Sequence, residues 1–262
     1  MMKKARIALS GSGFLAPIHV GAICAFLDSG YQIVEVAGTS GGSIAAALLA
    51  SGASYSQMKS ISLAELPGDI LSFEPLSLIE SQGMNDGSVL LDWLVGILGH
   101  RTLSNAVIPC TIMATSINDG AQFRFNAKST PNIRLADACR ASASVPFVFS
   151  PYHVAVIKCV DGGVCCNLPV DELVSDDIQR FGIKVLDGSS SGNTDTYLGL
   201  ITQTIGTMMA SNEENLTEWA RSTGATVIPV SAIPYGFLDA KLPIESKQDL
   251  FDRGYDAVKS KI

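Results

Sequence analysis

The chain has 262 residues and a formal net charge of −7, with 18 lysines and arginines against 25 aspartates and glutamates. Apolar residues make up 47% and charged residues 16%, which excludes a disordered chain, and the acidic balance excludes a nucleic-acid binder, which needs a basic stripe. No uninterrupted apolar run reaches about 18 residues, the length of a spanning helix, so the sequence reads as one soluble domain over residues 1–262.

Lys3, Lys4 and Arg6 ahead of an apolar stretch imitate a secretory signal, but Gly11, Gly13, Pro17 and His19 interrupt it and no small-residue cleavage site follows. The segment divides instead into a strand at 5–10, a turn at 11–14 and a helix at 17–29. Residues 33–37 form a second β-branched run that ends in a tight Gly/Ser turn, and a small-residue helix follows at once. The stretch 54–85 has weak periodicity and four breakers (Pro67, Gly68, Pro75, Gly83); it is expected to form a cap or surface lobe. There Leu63, Leu66, Ile70, Leu71, Phe73, Leu76, Leu78 and Ile79 would supply an apolar docking surface. Helical spacing returns at 87–99, a buried strand is predicted at 107–115, and 120–126 reads as its hairpin partner. A helix near 133–143, a strand at 154–160, a turn at 161–163 and a strand at 182–186 follow. A polar linker at 187–196, a helix at 197–222, a strand at 225–230 and a helix at 245–261 complete the chain. Strands alternating with helices predict an α/β fold: a mostly parallel central sheet with helices on both faces.

The six cysteines are sparse, sit mostly in apolar runs and lack metal-ligand spacing. Free thiols in a reducing, cytoplasmic setting are expected.

Three pieces carry chemistry. Gly38-Thr39-Ser40-Gly41-Gly42 fits G-x-S-x-G between a strand and a helix, where a sharp turn exposes the serine hydroxyl and the helix N-terminus presents free N–H groups. The glycines at 38, 41 and 42 admit close backbone neighbours, although a plain helix cap at Ser40 or Ser43 explains the same letters. A hydroxyl needs a base, and the histidines (His19, His100, His153) are poorly placed for a Ser-Asp-His order. Asp161 ends an apolar strand and opens the turn Asp161-Gly162-Gly163, so its carboxylate would project from the same sheet edge; partial burial would raise it from its ordinary pKa of about 4. An ordinary Asp-Gly turn is the competing reading. Third, Gly11-Ser12-Gly13-Phe14-Leu15-Ala16 follows the first strand. It also fits a dinucleotide loop, but that site wants an acidic residue closing the second strand, and Glu35 lies inside it.

Together these pieces resemble the patatin-like phospholipases: a glycine-rich loop (11–16), a serine elbow (38–42) and an aspartate turn (161–163), in that order. His19-x-Gly21, residues 83–94, 141–152 and 167–171, and the closing 250–258 continue the likeness over nearly the whole chain. The resemblance implies a three-layer α/β/α fold and hydrolysis of lipid carboxylic esters by a dyad without histidine. Ser40 would be the nucleophile and Asp161 the general base; backbone N–H groups of Gly11, Ser12 and Gly13, aided by Gly41, would form the oxyanion hole. It implies a phospholipid or other lipid ester as substrate, peripheral membrane contact, and no metal or cofactor. Two departures stand out: Ser12 replaces a loop glycine, where its Cβ would oppose a positive φ, and Leu15 replaces a basic residue. Leu15 motivates a second expectation, a catalytically weak lipid-binding or regulatory relative.

Overall fold

A computed structural model describes residues 2–71, 82–186, 195 and 197–262. Its main sheet has eight strands among the described residues: β1 (Lys3–Leu9), β2 (Tyr31–Thr39), β4 (Cys110–Ser116), β5 (Ala121–Phe125), β7 (Tyr152–Val154), β8 (Ile157–Asp161), β9 (Gln179–Leu186) and β10 (Thr226–Ser231). The order is β10-β9-β1-β2-β4-β8-β7, with β5 on β4. The five strands from β10 to β4 are parallel; β5 and β8 run antiparallel to β4. A small parallel pair, β3 (Gly83–Asn85) with β6 (Phe147–Phe149), lies apart. The helices are α1 (Pro17–Asp28), α2 (Gly41–Ala50), α3 (Tyr55–Leu63), α4 (Ser88–Leu98), α5 (Leu135–Ser142), α6 (Tyr197–Ser222) and α7 (Ile244–Lys259). A mostly parallel sheet between helical layers is thus the observed architecture.

Alternation along the strands splits the core in two. Ile7 and Leu9 of β1 join the large core beneath α1 and α2, whereas Ala8 and Ala37 face a smaller one with Leu168, Val170, Leu173 and Ala220. Each fully buried Ile or Leu contributes about 1.5–3 kcal/mol, so both faces hold the sheet. Helices α1 and α7 approach so closely that a Cβ at Gly21 would lie 2.0 Å from the Phe251 carbonyl oxygen, and one at Gly254 1.9 Å from that of Ile18. The glycines at 21 and 254 are there for contact, not for chemistry.

The segment after residue 54 is more regular than its hydrophobic pattern suggests. Helix α3 is started by a capping box: Gln57 N–H donates to Ser54 Oγ, and Ser54 N–H to Gln57 Oε1. Leu63, Leu66 and Leu71 are half-buried and Ile70 is buried, all packed on the main core. Phe73, Leu76, Leu78 and Ile79 lie outside the described residues, as does nearly all of the linker at 187–196.

The six cysteines are free thiols, five buried and Cys165 half-buried. Burial pushes Cys24 and Cys139 up to about 12 and Cys159 to about 11, so these are packing residues.

Candidate active site

One strand brings the serine and the aspartate together. On β4, residues 112–116 pair with β5, which must therefore occupy one edge alone; β2 pairs with 110–113 and β8 with 114–116 on the other edge. Thr39 stands opposite Met113, and Asp161 opposite Ala114, the next position. The end of a parallel partner thus abuts the end of an antiparallel one, and Ser40 follows Thr39 directly into the junction.

Ser40 is buried, with φ 50° and ψ −125°, a region a side chain rarely adopts. The surroundings hold it there. Its N–H donates to Ser142 Oγ at 2.8 Å, and its carbonyl accepts from Ser43 N–H and Ser43 Oγ. A Cβ at residue 42 would come within 2.3 Å of the Ser10 carbonyl oxygen, so only glycine lets α2 start this close to β1.

Asp161 is fully buried. Its Oδ1 accepts the Gly163 N–H at 2.7 Å, its own N–H donates to the Ser144 carbonyl at 2.9 Å, and its carbonyl accepts from Thr115 Oγ1 at 3.0 Å. Burial pushes the carboxyl up to about 6, while the nearby Ser40 hydroxyl and the Gly163 N–H pull it back. Oδ2 has no partner among the described hydrogen bonds; contacts between a nucleophile and its base commonly tighten only when substrate binds.

The glycine-rich loop lies against this pair: a Cβ at Gly11 would be 3.6 Å from Ser40 Cβ. The N–H groups of Ser12, Gly13 and Gly41 donate to nothing within the described hydrogen bonds. Gly11, expected among the oxyanion donors, differs: its N–H is taken by the Asn167 carbonyl at 3.0 Å. Ser12 carries no strain, with φ −148°; the positive φ falls at Gly13 (+53°). Leu15 is fully buried.

No described histidine joins the site. His19 is buried; its Nε2 contacts the Ser10 carbonyl at 2.8 Å and therefore carries the proton, and burial lowers its pKa to about 4. It braces the start of the loop as a neutral ring. His100 and His153 are exposed. Glu35 is committed to Arg6 at 2.7 Å and to the Val174 N–H, which leaves no carboxylate for a ribose.

Sequence reasoning did not single out the supporting polar residues. Ser142 Oγ ties the elbow to the Met113 carbonyl, and Ser144 anchors Asp161. Buried Arg140 in turn holds Ser144 Oγ at 2.6 Å and the carbonyls of Asp86, Gly87 and Ser150. Thr39 Oγ1 donates to the Cys166 carbonyl at 2.9 Å. The resemblance extends over the run 141–152 and the Asn167 segment; that they brace the elbow and the aspartate turn shows only in the structure.

Two cavities open on Ser40. One is almost wholly apolar, lined by Ile44, Leu48, Leu66, Ile70, Trp93 and Phe149 among others. The other, about 330 Å³, is lined by Ser12, Asn167, Lys184, Glu213 and Glu214 as well as hydrocarbon. In it, burial pushes the Glu213 carboxyl up to about 7, against the pull of Lys184 and Asn167.

A mostly parallel sheet between helical layers thus carries a serine at a strained strand-to-helix elbow and a buried aspartate at the adjoining ladder position. Residues 7–174 match the family model described as patatin-like phospholipase; the chain belongs to that family, one of lipid hydrolases. It is 27% identical over 189 residues to the uncharacterized protein YqhO of Bacillus subtilis, covering 62% of this chain and 64% of that one. It is also 27% identical over 186 residues to an uncharacterized NTE family protein of Mycobacterium tuberculosis, covering 71% and 50%. The chain thus spans about half to two thirds of these relatives. The crystal structure of VipD from Legionella pneumophila shares the fold, with a TM-score of 0.65 at 14% identity, covering 99% of this chain and 66% of VipD. Among the described residues, no helix is long and apolar enough to cross a membrane.

Proposed function

We propose that this protein is a serine acyl hydrolase that releases fatty acid from lipid carboxylic esters, a reaction of the phospholipase A or lysophospholipase type. Ser40 Oγ attacks the ester carbonyl while Asp161 takes its proton. The tetrahedral oxyanion rests on the N–H groups of Ser12, Gly13 and Gly41 at the positive end of α2. Asp161 then returns the proton to the departing alcohol oxygen, and water hydrolyses the acyl-enzyme by the same steps.

One observation carries the reading: the serine elbow and a buried carboxyl occupy consecutive positions on a single edge of β4. Burial matters because a carboxylate with a pKa near 4 is a weak base at neutral pH, and each unit gained strengthens it. The apolar cavity suits the acyl chain, and a lipid surface would supply it by peripheral contact. Ser40→Ala is expected to abolish fatty-acid release and fluorophosphonate labelling; unchanged turnover would refute the assignment.

Leu15 favours a second reading, a weakly catalytic lipid-binding protein, because no cation stands in the loop to steady the oxyanion. Vesicle binding without fluorophosphonate labelling of Ser40 would select it.

A further inference from the structure

The polar cavity plays no part in the chemistry so far. It sits at the carboxyl ends of β1 and β9, where the strand order reverses: the chain runs outward from β1 through β2 to β4, then returns to place β9 and β10 on the other side. Parallel α/β sheets bind ligands at such switch points. Ser40 forms part of its wall, so an ester held at Ser40 with its acyl chain in the apolar cavity must direct its alcohol part here.

Charge and hydrogen-bonding capacity in the wall are lopsided. Lys184 is the sole lysine or arginine among the described lining residues, and its Nζ is already engaged, 2.9 Å from Glu214 Oε2 and 3.8 Å from Glu213 Oε2. Two carboxyls therefore face one ammonium, and Leu15 adds only hydrocarbon to the lining. Meanwhile Asn167 Oδ1, Glu213 Oε1 and Ser12 Oγ have no hydrogen-bond partner, on side chains only 5–6% exposed. Leaving a buried acceptor unpaired is unfavourable. A ligand that brings hydroxyl donors relieves this at all three; a phosphate diester, anionic and able only to accept, can take a hydrogen bond from Ser12 Oγ but adds repulsion and leaves Asn167 Oδ1 and Glu213 Oε1 unpaired.

We propose that this cavity receives the leaving group and selects an uncharged polyol, so that the favoured substrates are fatty-acid monoesters of glycerol-like alcohols rather than esters carrying a phosphate. The proposal rests on the acyl-hydrolase chemistry of the reading above, and within lipid carboxylic esters it sets neutral monoesters ahead of the phospholipids named there. In the reaction the acyl C–O bond breaks, the polyol oxygen takes the proton from Asp161, and the acyl group remains on Ser40 until water removes it.

The test compares kcat/KM at about pH 8, where both glutamates are ionised, for four octanoyl esters: 1-octanoylglycerol, octanoyl lysophosphatidylcholine, octanoyl lysophosphatidylglycerol and p-nitrophenyl octanoate. Octanoylglycerol is expected to exceed both lysophospholipids by about tenfold or more, the size of one lost polar contact. The second arm is Glu214→Gln, at a side chain 62% exposed, where the fold is not at risk. By releasing Lys184 it should move the ratio of the lysophosphatidylglycerol and octanoylglycerol constants roughly fivefold or more toward the phospholipid, an electrostatic effect; a merely structural loss would lower both alike. A lysophospholipid hydrolysed as well as or better than octanoylglycerol, or a ratio that does not move in Glu214→Gln, overturns the proposal. Failure of p-nitrophenyl octanoate as well would instead sink the hydrolase reading on which it rests.

Discussion

Ser40 and Asp161 meet at one point on β4 but are held there by opposite means. The serine is conformationally strained, with φ 50° and ψ −125°, while its side chain reaches a cavity. The aspartate has an ordinary backbone, φ −49° and ψ 136°, and a carboxyl removed entirely from water. One site stores energy in torsion, the other in lost solvation. Each can therefore be relaxed without touching the other, by a glycine at 40 or by a proton or an amide at 161.

The largest effects are expected where that comparison is broken outright. Ser40→Ala and Asp161→Asn should each lower kcat for ester hydrolysis by ~10³-fold or more, measured as fatty-acid release from protein whose circular dichroism is unchanged. Next comes Gly41→Ala. Its Cβ would lie 2.2 Å from the Gly13 carbonyl oxygen and 2.5 Å from Ser12 Oγ, disturbing the N–H groups assigned to the oxyanion, so kcat should fall ~10²–10³-fold with a smaller change in KM.

A third effect belongs to the aspartate alone. Its pKa is about 6 in the folded protein against 3.8 ordinarily, so between these values the native state keeps a proton that the unfolded chain has released. Stability on this account falls as pH rises through the window, by on the order of 3 kcal/mol. Activity does the reverse: kcat/KM should rise through pH 6 and then level off as the base ionises. Urea unfolding should accordingly find Asp161→Asn more stable than the parent at neutral pH and equal to it in acid. The smallest effect isolates torsion: Ser40→Gly should be more stable than Ser40→Ala by about 1 kcal/mol, because glycine accepts the positive φ without cost.

Much of the sheet could be read from the chain, because β-branched runs such as 33–37 and 107–115 stand out against glycine turns and small-residue helices. Short elements could not. β3, β6 and β7 have three residues each, too few for periodicity, and exist only because distant partners pair with them. Helix α3 was hidden by its weak apolar stripe, although Ser54 and Gln57 carried the signal of its start. In the site, Ser40 and Asp161 could be singled out because glycines crowd around them, and a glycine cluster between strand and helix has few physical reasons to exist. Ser142, Ser144 and Asn167 gave no such signal: each acts through one or two bonds to backbone more than ten positions away in the chain, and nothing local distinguishes it from a loop residue. Gly11 shows the converse, a residue of the right type whose N–H is used elsewhere.

The shared edge of β4 has a further consequence. With β2 and β8 placed end to end along it, the gap between hydroxyl and carboxyl is set by a ladder of peptide hydrogen bonds, and surface loops can lengthen or shorten without altering it. Melting of β4 would part the two backbones. On the proposed hydrolase reading, loss of ester turnover on heating is therefore expected to coincide with collapse of the sheet.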